Sequence, residues 1–189
     1  SSKITSLSVV NLCQTLGIEP GRKYESEGGP TLPMCCAAVM QHSSKPALDK
    51  KRMLEWAVFN VAVGNMDSHA KNLSLLTMGG HTRLAPFYDL VCTTVYKHLS
   101  RRFAFKIGGE NRPGWMMGRH WDRLAVELAV KPQLLLTIRL DICLRIEREL
   151  PKVAGALRAQ VAHREGLAMI GLVEAEIRRC TGQVVARTA

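Results

Sequence analysis

Apolar positions along this chain recur mostly at helical spacing. Between about Ala47 and Ala62, Leu54, Val58 and Val61 return at intervals of four and three residues, alongside Met53 and Ala57, and so share one helical face. Pro46 suits the first turn of that helix and Gly64 its end. Ser6 or Ser8 is placed to cap a helix over Val9–Leu16 that stops at Gly17, and another helix is expected from Leu32 to about Gln41. The stretch Glu19–Pro30, with two prolines and three glycines, reads as a loop. Beyond residue 118 the pattern is helical throughout. It predicts helices over His120–Val130, Pro132–Leu150, Lys152–Arg164 and Val173–Cys180, with Pro132 and Pro151 marking two of the joins.

The period changes just after Gly64. Leu73-Ser74-Leu75-Leu76 and Arg83-Leu84-Ala85 are short apolar stretches on either side of Thr77-Met78-Gly79-Gly80-His81-Thr82, which predicts a β-hairpin. A further strand is expected at Arg102–Ile107, ended by Gly108-Gly109. The expected fold class is therefore mainly α with a small β-hairpin. The core would span about 47–109 and a helical tail about 118–182.

Composition narrows this only a little. A chain of 189 residues with 47% hydrophobic and 22% charged residues fits one soluble domain, or one lobe of a larger one. No apolar run approaches the roughly 18 residues a membrane span needs, and Ser1-Ser2-Lys3-Ile4 lacks the apolar centre of a signal peptide. Cys13, Cys35, Cys36, Cys92, Cys143 and Cys180 form no C-x-x-C pair and no zinc-like spacing with histidine, so reduced thiols in a cytoplasmic protein are expected. The formal net charge of +10 favours anionic partners but identifies none.

The hairpin lies between the residues that carry chemistry. It follows Asn65-Met66-Asp67-Ser68-His69-Ala70-Lys71-Asn72 and precedes Asp89 in Phe87-Tyr88-Asp89-Leu90. An Asp, an Asn five positions on and a second Asp after a hairpin follow the part order of a protein-kinase catalytic loop. Asp67 would orient a hydroxyl and take its proton. Asn72 and Asp89 would offer hard oxygens to Mg²⁺. Lys71 would face phosphate as a point charge, and His69 would brace the loop through hydrogen bonds. Asn and Asp are also common in turns and caps, so the motif gains its meaning from the helix, hairpin and second Asp around it.

The run from Phe59 to Leu76, followed by Leu84-Ala85-Pro86-Phe87-Tyr88-Asp89-Leu90, closely resembles the HipA-type toxin kinases. Lys23-Tyr24-Glu25, Gly28-Gly29-Pro30, Ile107-Gly108-Gly109 and His120-Trp121 fit the C-terminal region of the same family. The D-x-H-x-x-N form of the loop also resembles phosphoinositide kinases. The resemblance covers about residues 10–130. It implies the mostly helical C-lobe of a serine/threonine kinase, using ATP and Mg²⁺, with Asp67 at the catalytic base and Asn72 and Asp89 at the metal and nucleotide. His69 and Lys71 match further positions of the catalytic motif. It further implies a toxin acting on translation machinery, such as an aminoacyl-tRNA synthetase. The implied partner is a helix-turn-helix antitoxin, through whose complex DNA is met indirectly.

The nucleotide lysine and the loop that covers the phosphates cannot be located in this chain. It is therefore expected to be a fragment, a split-kinase subunit needing a separate N-lobe, or a degenerate relative, weak or inactive alone. Two readings of other classes stand beside it. One is a non-catalytic module that binds an antitoxin or target protein. The other is a nucleic-acid-binding face through Arg139, Arg145, Arg148, Lys152 and Arg158, where interleaved Asp141, Glu147 and Glu149 favour local ion pairs instead.

Overall fold

A computed structural model describes residues 7–19 and 21–186. The fold is mostly helical with a small antiparallel sheet. Strand β1 (Leu7–Asn11) runs into a one-turn helix α1 (Leu12–Thr15), followed by α2 (Leu32–His42), α3 (Pro46–Val63), β2 (Ser74–Met78) and β3 (His81–Leu84). The last third is helical: α4 (Gly118–Glu127), α5 (Pro132–Gln160) and α6 (Arg164–Ala186). No helix among the described residues is long and apolar enough to cross a membrane.

Helix α3 is the centre of the molecule. Its predicted face is buried, and so are Trp56, Ala62 and Val63 on other sides, because α2, α5 and α6 all pack against it. A helix enclosed by neighbours is stabilised by burial from several directions rather than along one stripe. Trp56 meets Phe105 edge-on, with ring centroids 6.1 Å apart, and Phe103 and Phe105 continue the aromatic core. As expected, Pro46 stands in the first turn and Gly64 ends the helix in the left-handed conformation, φ 74°. A side chain at Gly64 would put Cβ 2.3 Å from Thr94 Oγ1, so both the turn and the close approach require glycine.

The hairpin forms where predicted, turning at Gly79-Gly80 with φ 57° and 79°. Two positive φ values match the tight turn that suits the strands' twist. The sheet has a third member, however. Val9–Leu16 is not one helix: residues 7–11 form β1, paired antiparallel to β2 with Val9 opposite Leu76 and Asn11 opposite Ser74. β-branched Val9 and Val10 are poor helix formers, and β2 offers their backbone a ladder. The cap is Asn11, whose side chain and that of Gln14 exchange hydrogen bonds with each other's backbone N–H. Ser8 lies in the strand, and Ser6 falls outside the described residues.

Two further expectations are corrected. Residues 102–107 form no strand, only a bridge from Ile107 to Glu110 around Gly108-Gly109. Phe103, Phe105 and Ile107 do point inward in alternation, but loops satisfy the backbone: Phe103 N–H donates to Asn111 O and Lys106 N–H to the Glu25 carboxylate. Pro151 does not divide the tail, since α5 runs through it to Gln160. One missing backbone donor there is outweighed by packing along α6, where Ala154 is buried.

Buried Asp49 fastens the sheet to α3. Its carboxylate accepts from Arg83 Nε and Nη2 at 2.9 and 2.8 Å, Ser43 Oγ at 2.6 Å and Leu84 N–H at 2.9 Å. Burial alone would raise this carboxyl, but those donors outweigh it and hold the pKa far below 3.8. The sign follows. A depressed folded pKa gives stability that is complete above the ordinary carboxylate range and is lost as pH falls through the folded value. Asp49→Asn should lower unfolding free energy by about 3 kcal/mol at neutral pH, read by urea melts, and should flatten the acid limb of the stability–pH curve.

Candidate functional site

The motif loop begins where α3 stops. Beyond Gly64 the chain is held by buried amides as well as by Met66, Ala70 and Leu73 packed into the core. Asn60 Nδ2 donates to Trp56 O at 2.8 Å, while Asn65 Nδ2 reaches Asn60 Oδ1 at 2.8 Å and the carbonyl of Asp89 at 2.9 Å. The returning segment closes on the same turn. Thr93 and Thr94 N–H both donate to Gly64 O at 3.0 and 3.1 Å, and Met66 N–H donates to Thr93 Oγ1 at 2.8 Å. Two stretches distant in sequence are thereby stitched together.

Asp67 leads the loop and is half-exposed. Its Oδ1 accepts a hydrogen bond from the Tyr24 hydroxyl, with Lys23 Nζ at 3.7 Å and His69 Nε2 at 3.8 Å. The Lys23 ammonium stands 4.8 Å from the Tyr24 ring centroid, and the Tyr24 and His69 rings meet edge-on at 5.5 Å. Burial and the Asp67 contact push the Tyr24 phenol up, so it stays a donor. Burial, helped by nearby Lys23, pulls His69 down, so its imidazole is neutral at neutral pH. His69 is buried as a brace would be, yet Nδ1 has no hydrogen-bond partner.

Asn72 and Asp89 meet across the hairpin, as the sequence predicts. Asn72 Nδ2 donates to Asp89 Oδ2 at 2.5 Å. Asp89 holds a left-handed backbone, φ 56°, a conformation Asp tolerates better than most residues. Arg52 of α3 grips the strand leading there, donating to Leu84 O at 2.8 Å and lying over the Phe87 ring. Asn72 Oδ1 is buried without a partner beside this carboxylate. An orphaned amide oxygen next to a carboxylate is the donor set a hard divalent cation takes, so these residues fit Mg²⁺. Among the described residues no cluster of three His, Cys, Asp or Glu side chains forms a metal cage. A cation here would therefore need oxygens from a ligand as well. Lys71 sits in the short turn Ala70–Asn72, its carbonyl accepting from the Tyr88 hydroxyl. Its ammonium field reaches Cys13, whose thiol burial pushes up.

Tyr24 and Asn65 carry more of this geometry than the sequence indicates. Lys23-Tyr24-Glu25 stood out there only through the family resemblance, and nothing local says that a loop tyrosine reaches Asp67. The ion pairs favoured for the basic tail form, with Arg139 the exception. Arg139 is buried, donating to Val184 O at 3.0 Å. Arg145 pairs with Asp141, Arg148 and Lys152 with Glu149, and Arg158 with Glu174. All six cysteines are free and buried.

The profile of the HipA-like C-terminal domain matches residues 3–150. The chain is 40% identical over 120 residues to Y4mE of Sinorhizobium fredii, covering 64% of this chain and 29% of that protein. It is 26% identical over 155 residues to the serine/threonine-protein kinase toxin HipA of Shewanella oneidensis, covering 77% of this chain and 36% of the relative. The fold is similar to HipA in a solved complex of that organism's HipA, HipB and operator DNA, with TM-score 0.86 at 22% identity, covering 95% of this chain and 45% of that one. The chain thus spans about a third of the length of these curated relatives.

Asn65→Ala should leave Asn60 Oδ1 and the Asp89 carbonyl without their donor, at a cost of about 2 kcal/mol. Hydrogen exchange at the Thr93 and Thr94 amides should accelerate more than exchange within α5.

Proposed function

This chain belongs to the HipA-like C-terminal domain family, and from that premise we propose that it is the catalytic-loop lobe of a serine/threonine protein kinase. The reaction is Mg²⁺-dependent transfer of the ATP γ-phosphate to a protein hydroxyl, completed by a nucleotide-binding N-lobe. The observation that carries this reading is the meeting of Asn72 with Asp89, with Asp67 on the same loop. Asp67 would receive the proton of the acceptor hydroxyl at Oδ1 or Oδ2 as the oxygen attacks phosphorus. Tyr24 must therefore share Asp67 with the acceptor or yield to it. Asn72 Oδ1 and the Asp89 carboxylate would hold Mg²⁺, which when bound would supply positive charge to neutralise the transferring phosphate. Neutral His69 would pack the loop without adding charge beside the base, and Lys71 would face the transferring phosphate oxygens as a point charge. By analogy with the Shewanella HipA complex, a HipB-like antitoxin is the proposed protein partner, with DNA reached through it. A component of translation, such as an aminoacyl-tRNA synthetase, is the proposed substrate.

The test joins the chain to an N-lobe polypeptide and measures Mg²⁺–ATP binding by calorimetry and phosphate transfer to protein. Asp89→Asn should abolish Mg²⁺–nucleotide binding with the fold intact, and unchanged binding overturns its assignment as ligand. Asp67→Asn should retain that binding and lose transfer by about 100-fold or more. Undiminished transfer removes Asp67 from the role of base. Absence of turnover in the completed, folded protein favours a binding module.

A further inference from the structure

A cavity of about 280 Å³ opens beside Asp67 and Tyr24. Neither Asn72 nor Asp89 lines it, so it stands apart from the amide–carboxylate pair. A hydroxyl group occupies about the space of one water, ~30 Å³. The remaining volume exceeds what a phosphate acceptor's hydroxyl fills and leaves room for part of a flanking residue. Met66 and Phe103 give it a buried apolar floor, and Leu99 stands exposed at its mouth.

The charges on its wall are divided. Asp67 and exposed Glu27 contribute negative charge, whereas Arg102 contributes positive charge. Arg102 is exposed, and among the described residues its guanidinium makes no hydrogen bond or ion pair; only its backbone N–H is engaged, with Ser100 Oγ. The stretch 97–102 also carries Lys97, His98 and Arg101 and no acidic residue, although the field of Arg101 is partly directed at Glu176 of α6. An exposed arginine at the edge of an apolar cavity is suited to a carboxylate, which its fork can bind through two hydrogen bonds.

We infer that this cavity is the acceptor subsite and selects a polypeptide in which an acidic residue flanks the hydroxyl-bearing one. This rests on the kinase reading for the meaning of Asp67. The acceptor hydroxyl lies at Asp67 and its neighbour's carboxylate at Arg102, while Glu27 in the same lining repels a second acid. The partner is thus recognised by the charge of Arg102, a residue outside the amide–carboxylate pair.

The probes are short fluorescent peptides with a central serine flanked by glutamate or by lysine, with anisotropy read without nucleotide. The glutamate peptide should bind about tenfold more tightly than the lysine peptide, as one charge-assisted contact allows. Arg102→Glu should reverse the preference, and Glu27→Gln, a near-isosteric change on an exposed wall, should strengthen glutamate-peptide binding. Equal affinities, or a preference that survives Arg102→Glu, overturn the assignment. A single-stranded oligonucleotide binding more tightly through Arg102 overturns it too, giving the rim to nucleic-acid phosphate. Because binding is read without ATP, loss of transfer in the completed kinase bears on the proposed chemistry, whereas loss of peptide preference bears on this subsite.

Discussion

The hydrogen bond from Asn65 to the Asp89 carbonyl closes a loop of 24 residues, and the candidate site depends on that closure. Bringing such distant positions together costs chain entropy that grows slowly with loop length. The hairpin lowers the cost by folding most of the excursion on itself, and β1 broadens it into a sheet. Asp49 then ties β3 to α3 through Arg83 and Leu84 N–H, while Arg52 holds the exit strand. The return path to Asp89 is thus fixed at both ends. Gly64 completes the junction because its left-handed turn and bare α-carbon admit Thr94 against the end of α3.

The polar groups used for this closure are buried and nearly all satisfied. Asn60, Asn65 and Thr93 form a connected set of donors and acceptors, so each lost member leaves a partner stranded. Four buried side-chain atoms among the described residues have no partner, Trp56 Nε1 and Arg139 Nε on helices and Asn72 Oδ1 and His69 Nδ1 on the motif loop. Of the two on the motif loop, one lies beside the Asp89 carboxylate and the other in the imidazole packed on Tyr24. This amide oxygen and this imidazole nitrogen are each costly to bury unless something binds there.

The loop also divides its surroundings by chemistry. Oxygen ligands meet across the hairpin, and a separate cavity with Met66 and Phe103 in its lining and Arg102 at its edge opens beside Asp67. Tyr24 stands at the boundary, its hydroxyl on Asp67 and its ring against His69. Its own loop is anchored farther back, where Glu25 accepts from Lys106 N–H. The geometry around Asp67 is therefore set jointly by the motif and by a segment 43 residues earlier.

The sequence by itself determined the elements whose signals are local. The apolar spacing of α3, its Pro46 start and Gly64 stop, and the Gly79-Gly80 turn all act within a few residues, so they could be read without coordinates. The meeting of Asn72 and Asp89 followed from that hairpin, and the motif's order and its resemblance to HipA-type kinases needed only residues in line. Tertiary structure decided what depends on distant partners. Val9 and Val10 became a strand because β2 supplied a ladder, 102–107 did not because it met only isolated loop partners, and α5 continued through Pro151 against α6. Tyr24 on Asp67 and Arg83 on Asp49 belong to the same group. A local pattern records the preference of a residue for its neighbours along the chain, whereas ladders, buried ion pairs and shared hydrogen bonds exist only once separate segments are brought into contact.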